Sequence, residues 1–460
     1  MLINKSKGTT PSERFLANLA EKTFLNLWSY PNVFKVKNKG QELCDLLVVF
    51  HNHIIIFSDK SNLFDDEKGM EVGWRRWVEK SIIKSSNQIY QAERWIKEHP
   101  KRLSLDAKNH EKFPFELPNN EDMIIHRVAV TSFSGDKLKK HIGDTGAFII
   151  DPSIIGEEEH LNTPFTIGQI NKDKGFVHIM NETSLEVLMT ELDTISDFTT
   201  YLLEKEKIIL SGKLYKAYSE EDLLTAYLEN IDDEEKHSFN YDNGNLRIEI
   251  EKNIWLNHKN NIRYLFKNIE DEKSYIWDSL IDRLTNEMLH QRLIGQSLSN
   301  PLELEKALKI MASENRLNRR SLSKTFLDLF EKYKSLEKEN LMLKRHLLFE
   351  NNTSKMYVFL ITNKPKNLDY ESYQNERKIQ LLNYMISLKS KYPEVLDIVG
   401  ISREASVKVP ASNDFVYLDG REWTKEDQNK ADKNRYHFNH LKQENLHKFT
   451  REEVEYPYVN

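Results

Sequence analysis

The sequence predicts an α/β (α+β) chain with two parts. The N-terminal part is a mixed sheet flanked by helices, and the C-terminal part is a mostly helical α+β domain. Two observations carry this expectation. Short apolar runs bounded by turn residues, such as Leu46–Phe50 and Ile54–Phe57, read as buried strands. Longer stretches with apolar residues at three- and four-residue steps, Thr10–Trp28 and Val72–Glu98, read as amphipathic helices. Their order along the chain is helix, three strands, helix, strand, which describes a mixed sheet with helices against it.

The first helix opens at Thr10, with Pro11 in its first turn and Glu13 placed to complete a capping box. Phe15, Leu16, Leu19, Leu27 and Trp28 form its apolar face, and Glu21 lies at the border of that face. A short strand at Val33–Val36 and the turn Asn38–Gly40 lead to a hairpin. Its first strand, Glu42–Phe50, carries a lone acid, Asp45; its second, Ile54–Lys60, ends in Ser58, Asp59 and Lys60. The long helix that follows has Lys80, Lys84, Gln88 and Gln91 at helical steps, a polar stripe suited to solvent or to a phosphate backbone. Strands at Met123–Phe133, Gly146–Ile150 and Phe176–Met180 and helices at Ser184–Leu192 and Thr194–Lys205 complete the first domain, expected to end near residue 210.

Beyond it, helices dominate from Ser274 to Leu348. Arg316, Arg319, Arg320 and Lys324 fall at helical spacing and form the best basic patch of the chain, though acids nearby, such as Glu314 and Asp328, favour an ordinary solvated or salt-bridged face over a nucleic-acid contact. Lys334–Lys344 alternates acids and bases with leucines, as a surface helix for docking a partner subunit or a second copy does. Strands are expected at Met356–Ile361, Val395–Ser402 and Phe415–Leu418, with a helix at Tyr370–Leu388.

Composition bounds the function. The 460 residues suggest two or three domains, and the element pattern divides them as 1–210 and 211–460. With 66 basic and 72 acidic residues the formal net charge is −6, so a nucleic acid can be met only by a local patch. A single cysteine, Cys44, excludes an internal disulfide framework and a multi-cysteine zinc site. No apolar run approaches membrane-spanning length and no leader is apparent; no membrane partner and a cytoplasmic location are expected. Neither a phosphate-binding glycine loop nor a Gly-x-Ser-x-Gly elbow occurs, so neither ATP hydrolysis nor serine acyl transfer is expected.

An acid on one strand and a lysine closing the next suit phosphodiester hydrolysis. A hard divalent cation needs carboxylates, and a lysine neutralises charge that develops on the phosphate. Here the chain, over about residues 10 to 135, resembles the PD-(D/E)xK, or restriction-endonuclease-like, superfamily in its Mrr-like and nuclease-related branch. That resemblance rests on Glu21 in the first helix, Asp45 on the strand, Ser58-Asp59-Lys60 at the next strand's end, and Gln88 on the following helix. It implies a nuclease that cleaves DNA with Mg2+ or Mn2+, in bacterial defence against foreign DNA. Asp45 and Glu21 would hold the metal and Lys60 would meet the phosphate. Ser58 stands where the family has an acid. Because strand side chains alternate, Ser58 and Lys60 share a face and Asp59 points away unless the strand bulges. Three routes to a second ligand remain: Asp59 turned in by a bulge, Glu21, or Glu42, which lies off the Asp45 face in an ideal strand. Lys80, Lys84 and the Arg316–Lys324 patch would contact nucleic acid. The alternative is the same fold without catalysis, as a nucleic-acid-binding or interaction subunit of a larger complex.

Overall fold

The computed structural model describes residues 4–37, 40–132, 140–141, 146–232, 236–239, 247–289, 301–336, 341–349, 352–405, 413–438 and 454–457. The chain divides into two compact units, Leu2–Leu265 and Phe266–Asn460.

In the N-terminal unit, helix α1 (Pro11–Trp28) begins as its capping sequence dictates. The Glu13 amide donates to Thr10 Oγ1, and the Glu13 carboxylate accepts the Thr10 amide in return. Both are amides that a helix start leaves open. Strands β1 (Ser29–Lys35), β2 (Gln41–Phe50) and β3 (His53–Lys60) follow as an antiparallel meander. Helix α2 (Met70–Val78) passes through a π turn (Glu79–Ile83) into α3 (Lys84–Glu98). Then come β4 (Leu103–Ser104), β5 (Ile124–Thr131), β6 (Ile149–Ile155), α4 (Glu157–Asn162), β7 (Thr166–Gln169) and β8 (Val177–Asn181). The unit continues with α5 (Glu182–Glu191), α6 (Ile195–Leu210), β9 (Leu214–Ala217), α7 (Glu220–Glu229), β10 (Ile248–Ile250) and α8 (Ile254–Lys259).

The main sheet has the order β4-β1-β2-β3-β5-β8, with β5 parallel to β3 and β8 parallel to β5. Each face is covered. On one, Phe24 of α1 and Phe198 of α6 pack against Phe57 of β3. On the other lies α3, whose Ser85 hydroxyl donates to the Ser58 carbonyl and whose Glu93 pairs with Arg127 of β5. A second sheet, β10-β9-β6-β7, completes the unit.

The sequence places the domain boundary near 210, but the division falls between Leu265 and Phe266. The reason is pairing: β9 bonds to β6 and β10. In addition, buried Glu220 of α7 takes Lys205 and Tyr201 of α6. Residues just beyond 210 are thereby tied to the first unit.

The division lies within α9 (Ile262–Asp271). The C-terminal unit goes on with α10 (Tyr275–Leu289), α11 (Pro301–Ala312), α12 (Arg316–Ser335), β11 (Met342–Phe349), β12 (Asn352–Thr362), α13 (Tyr370–Lys391), β13 (Asp397–Glu404), β14 (Asn413–Asp419) and α14 (Lys425–Phe438). Its sheet runs β11-β12-β13-β14, with α13 as the crossover between parallel β12 and β13. Met356, Val358 and Leu360 of β12 pack on Leu381, Tyr384, Met385 and Leu388 of α13. The alternate residues Tyr357 and Phe359 meet Trp277 and Phe326 on the opposite face. The period-two alternation of β12 thus feeds two helical layers. The stretch expected as one surface helix over Lys334–Lys344 is instead the end of α12 and the start of β11, with 337–340 outside the described residues.

Candidate active site

The hairpin brings Asp45 and Lys60 together. Leu46 pairs with Phe57, the last pair of that ladder, so Asp45 and Ser58, the next residue of each strand, fall on the same face. Opposed residues of antiparallel strands share a face, and Lys60 is one alternation further along it. Lys60 Nζ lies 3.6 Å from Asp45 Oδ2. The same oxygen accepts the Asp59 amide at 2.6 Å. From α3, Gln88 Oε1 accepts the Ser58 hydroxyl at 3.3 Å. Asp45, Ser58, Lys60 and Gln88 therefore converge on the α3 side of the sheet.

Asp45 is buried. Burial pushes its carboxyl up to about 6, against the pull of Lys60 and the Asp59 amide, and the charges of Glu42 and Asp59 add to the rise. A carboxylate with so high an affinity for protons is one that gains from a positive partner.

The irregularity beside this group is in β2, not in β3. β3 pairs with β5 without interruption from His53 to Lys60, so no bulge turns Asp59 inward. Its Oδ1 accepts the Ser132 hydroxyl at 2.6 Å instead. Along β1, Val33 pairs with Cys44 but Phe34 pairs with Glu42, which makes Leu43 an extra residue in β2. The bulge shifts the alternation by one and puts Glu42 on the Asp45 face. The Coulombic effect of Glu42 on Asp45 agrees with that placement. Asn32 Nδ2 bridges Glu42 Oε1 at 2.8 Å and Glu13 Oε2 at 3.0 Å. Burial raises the Glu13 carboxyl, but hydrogen bonds from Thr9, Asn32 and the amides of Thr9 and Thr10 outweigh it and hold it below its ordinary value.

Glu21 is not brought to this group. It is exposed on α1, whose Phe24 packs on the opposite face of the sheet, and its charge acts on Lys5. The basic residues divide in two groups. Lys80 and Lys84 are exposed, with Lys80 inside the π turn and Lys84 at the start of α3, one turn before Gln88. The π turn breaks the single stripe the sequence implies, because it advances the chain by one extra residue.

Arg316, Arg319 and Arg320 are buried and present no guanidinium to a phosphate. Arg316 and Arg319 both pair with Asp278, at 2.8 and 2.6 Å, and Arg320 pairs with Asp271 at 3.4 Å. Arg320 also donates to the Val454 carbonyl. Lys324 alone of that group is exposed.

Sequence reasoning missed Asn32, Glu13 and Ser132. Glu13 was legible only as a cap, and Asn32, at φ 49°, owes its position to a backbone turn that no sequence motif marks. Among the described residues no group of three His, Cys, Asp or Glu could enclose a metal. Asp45 with Glu42 nearby suits a hard cation that keeps most of its waters, as Mg2+ and Mn2+ do, and not a closed zinc cage. Among the described residues no helix is long and apolar enough to cross a membrane. No family model, curated protein or solved structure matches the chain, and the site stands on its own geometry.

Proposed function

We propose that the N-terminal unit is a metal-dependent nuclease that hydrolyses DNA phosphodiester bonds. One observation carries the reading: a buried carboxylate with a raised proton affinity lies 3.6 Å from a lysine at the shared end of two strands. The order of helix, Asp strand, Lys strand and Gln-bearing helix supports it. In this reading Asp45 and Glu42 hold a largely hydrated Mg2+ or Mn2+, which supplies an activated water and a positive charge at the phosphate. Lys60 leaves its ion pair to neutralise a non-bridging phosphate oxygen. Gln88 and Ser58 fix the floor beneath them. Lys80 and Lys84 supply the local basic surface that an acidic chain needs. A role in defence against foreign DNA is carried over from the resemblance alone.

A second reading has its own support: Ser58 stands where a ligand acid is expected, and no three-ligand group occurs among the described residues. On that reading the unit holds nucleic acid without cutting it. Incubation of the purified chain with supercoiled and linear DNA, with Mg2+, Mn2+ or a chelator, separates the two. Cleavage that needs the metal and is lost in Asp45→Ala and Lys60→Ala supports the nuclease. Salt-sensitive binding with no metal requirement and no cleavage supports the holder. Cleavage that survives both substitutions sinks the assignment of this site.

A further inference from the structure

Beside β4 lies a cavity of about 720 Å³ to which the site described above contributes no residue. Val36, Leu103, Phe113 and Phe115 give it an apolar wall, and Pro100, Pro114 and Pro118 stiffen its rim. Lys101 and Lys112 line it as well, and neither forms an ion pair or side-chain hydrogen bond among the described residues. Glu116 is the only acid in the lining.

The walls are built, not incidental. Asp106 accepts the amides of Lys108 and Glu111, and the Ser104 hydroxyl donates to the Glu111 carbonyl. Phe113 packs on Tyr30 of β1 with ring centroids 4.7 Å apart. The Asn120 side chain ties the far rim to the Lys97 carbonyl. The Ala107 carbonyl comes so near Gly40 that a Cβ there would sit 2.0 Å from it, so only glycine lets the segment close on the β1–β2 connection. Asn109 Nδ2 donates to the Lys37 carbonyl, which fixes the amide and leaves Oδ1 buried with no donor.

We propose that this cavity binds a nucleotide. The volume suits a ligand of that size. A heteroaromatic base has the flat apolar faces that Phe113 and Phe115 accept. A phosphate is the anion two lysines attract. The same chemistry comes from a free nucleotide or from one residue of a nucleic-acid strand, and the test separates these sources.

The test is equilibrium titration of the full chain with fluorescently tagged AMP, with untagged AMP, adenosine, inorganic phosphate and a short single-stranded oligonucleotide as competitors. Untagged AMP competes, while adenosine and phosphate compete at least about tenfold more weakly, as each lacks half the recognised chemistry. Lys101→Ala and Lys112→Ala each weaken binding about tenfold, the loss of one charge-assisted hydrogen bond. Gly40→Ala weakens it by distorting the wall. Asp45→Ala leaves it unchanged, so the outcome is independent of cleavage. An oligonucleotide that displaces the probe at lower concentration than AMP assigns the cavity to the path of a strand; one that fails to displace it assigns a free nucleotide. Absence of saturable binding up to about 1 mM, or binding untouched by loss of both lysines, overturns the proposal.

Discussion

The amide of Asp59 donates to Asp45 Oδ2 across the hairpin, in place of a backbone carbonyl. The β2–β3 ladder stops at Leu46 and Phe57, although β3 runs on to Lys60. A carboxylate thus takes over where the backbone ladder ends. That one contact orients the acid and leaves the lysine, the next residue along, aimed at it.

Asp45→Asn tests the strain in this arrangement. The carboxyl rises from its ordinary value near 4 to about 6 on folding, mainly through burial. Between those values the folded chain binds the proton more tightly than the unfolded one, so stability falls as pH rises through that window and stays lowered above about 6. Asparagine keeps an acceptor for the Asp59 amide and carries no charge. The substitution is expected to raise stability at pH 8 by about 2 kcal/mol and to change nothing at pH 4. Thermal melts at the two pH values check this; a loss of stability at pH 8 contradicts it.

Ser58→Asp places the acid that the resemblance leads one to expect. Ser58 is fully buried and, by alternation past the last pair Leu46–Phe57, shares a face with Asp45. A second carboxylate there costs about 2–3 kcal/mol without a cation, because like charges share one low-dielectric site. Mn2+ is expected to restore the melting temperature of the variant more than it raises that of the parent. Equal responses of the two proteins would show that no cation sits between positions 45 and 58.

The two basic groups should respond differently to charge removal. Lys80→Ala and Lys84→Ala are each expected to lower the salt dependence of DNA binding by about one unit of slope and to leave folding intact. Arg319→Ala leaves Asp278 to Arg316 and strips the Glu314 and Ala312 carbonyls of a buried donor, and is expected to destabilise the C-terminal unit by about 2–3 kcal/mol without altering that slope. Binding isotherms at several salt concentrations, paired with denaturant melts, distinguish a surface contact from an internal strut.

Acid sensitivity should trace to His126 of β5. Burial, with His53 and Arg127 as positive neighbours, lowers its imidazole to about 3. His178 of β8, also fully buried, has its own imidazole lowered by burial and by Lys205, His126 and Arg127. The unfolded chain takes up the His126 proton below about 6.5 while the folded one resists. Stability therefore drops as pH falls from about 6.5 toward 3, by about 1.4 kcal/mol per pH unit for this group alone. His126→Gln should flatten that slope. An unchanged acid limb in the denaturant melts would place the sensitivity elsewhere.

The sequence marked what depends on neighbours along the chain. The capping box of α1, both strands of the hairpin and the helix carrying Gln88 were legible because apolar period and turn residues are local signals. What escaped depends on partners far along the chain. Glu42 joined the site only through a bulge set by pairing with Val33 and Phe34. Glu21 sat at a helix border, and period alone does not say which face of a sheet that helix covers. Arg316, Arg319 and Arg320 looked like a patch because their acids, Asp278 and Asp271, belong to other helices. The division of the chain falls past 210 for the same reason, since Ala217 of β9 is held by Ile150 of β6, 67 residues earlier.

The forked end of the hairpin has a consequence for how this protein can change. It opens where the β2–β3 ladder ends at Leu46 and Phe57 and the Asp45 carboxylate takes the place of a backbone acceptor. Exchanges at positions 58, 59 or 88 can alter what the fork accepts and still leave that contact, because its donor is the peptide amide of residue 59. The chemistry of the fork is open to revision one side chain at a time, whereas its shape hangs on one carboxylate.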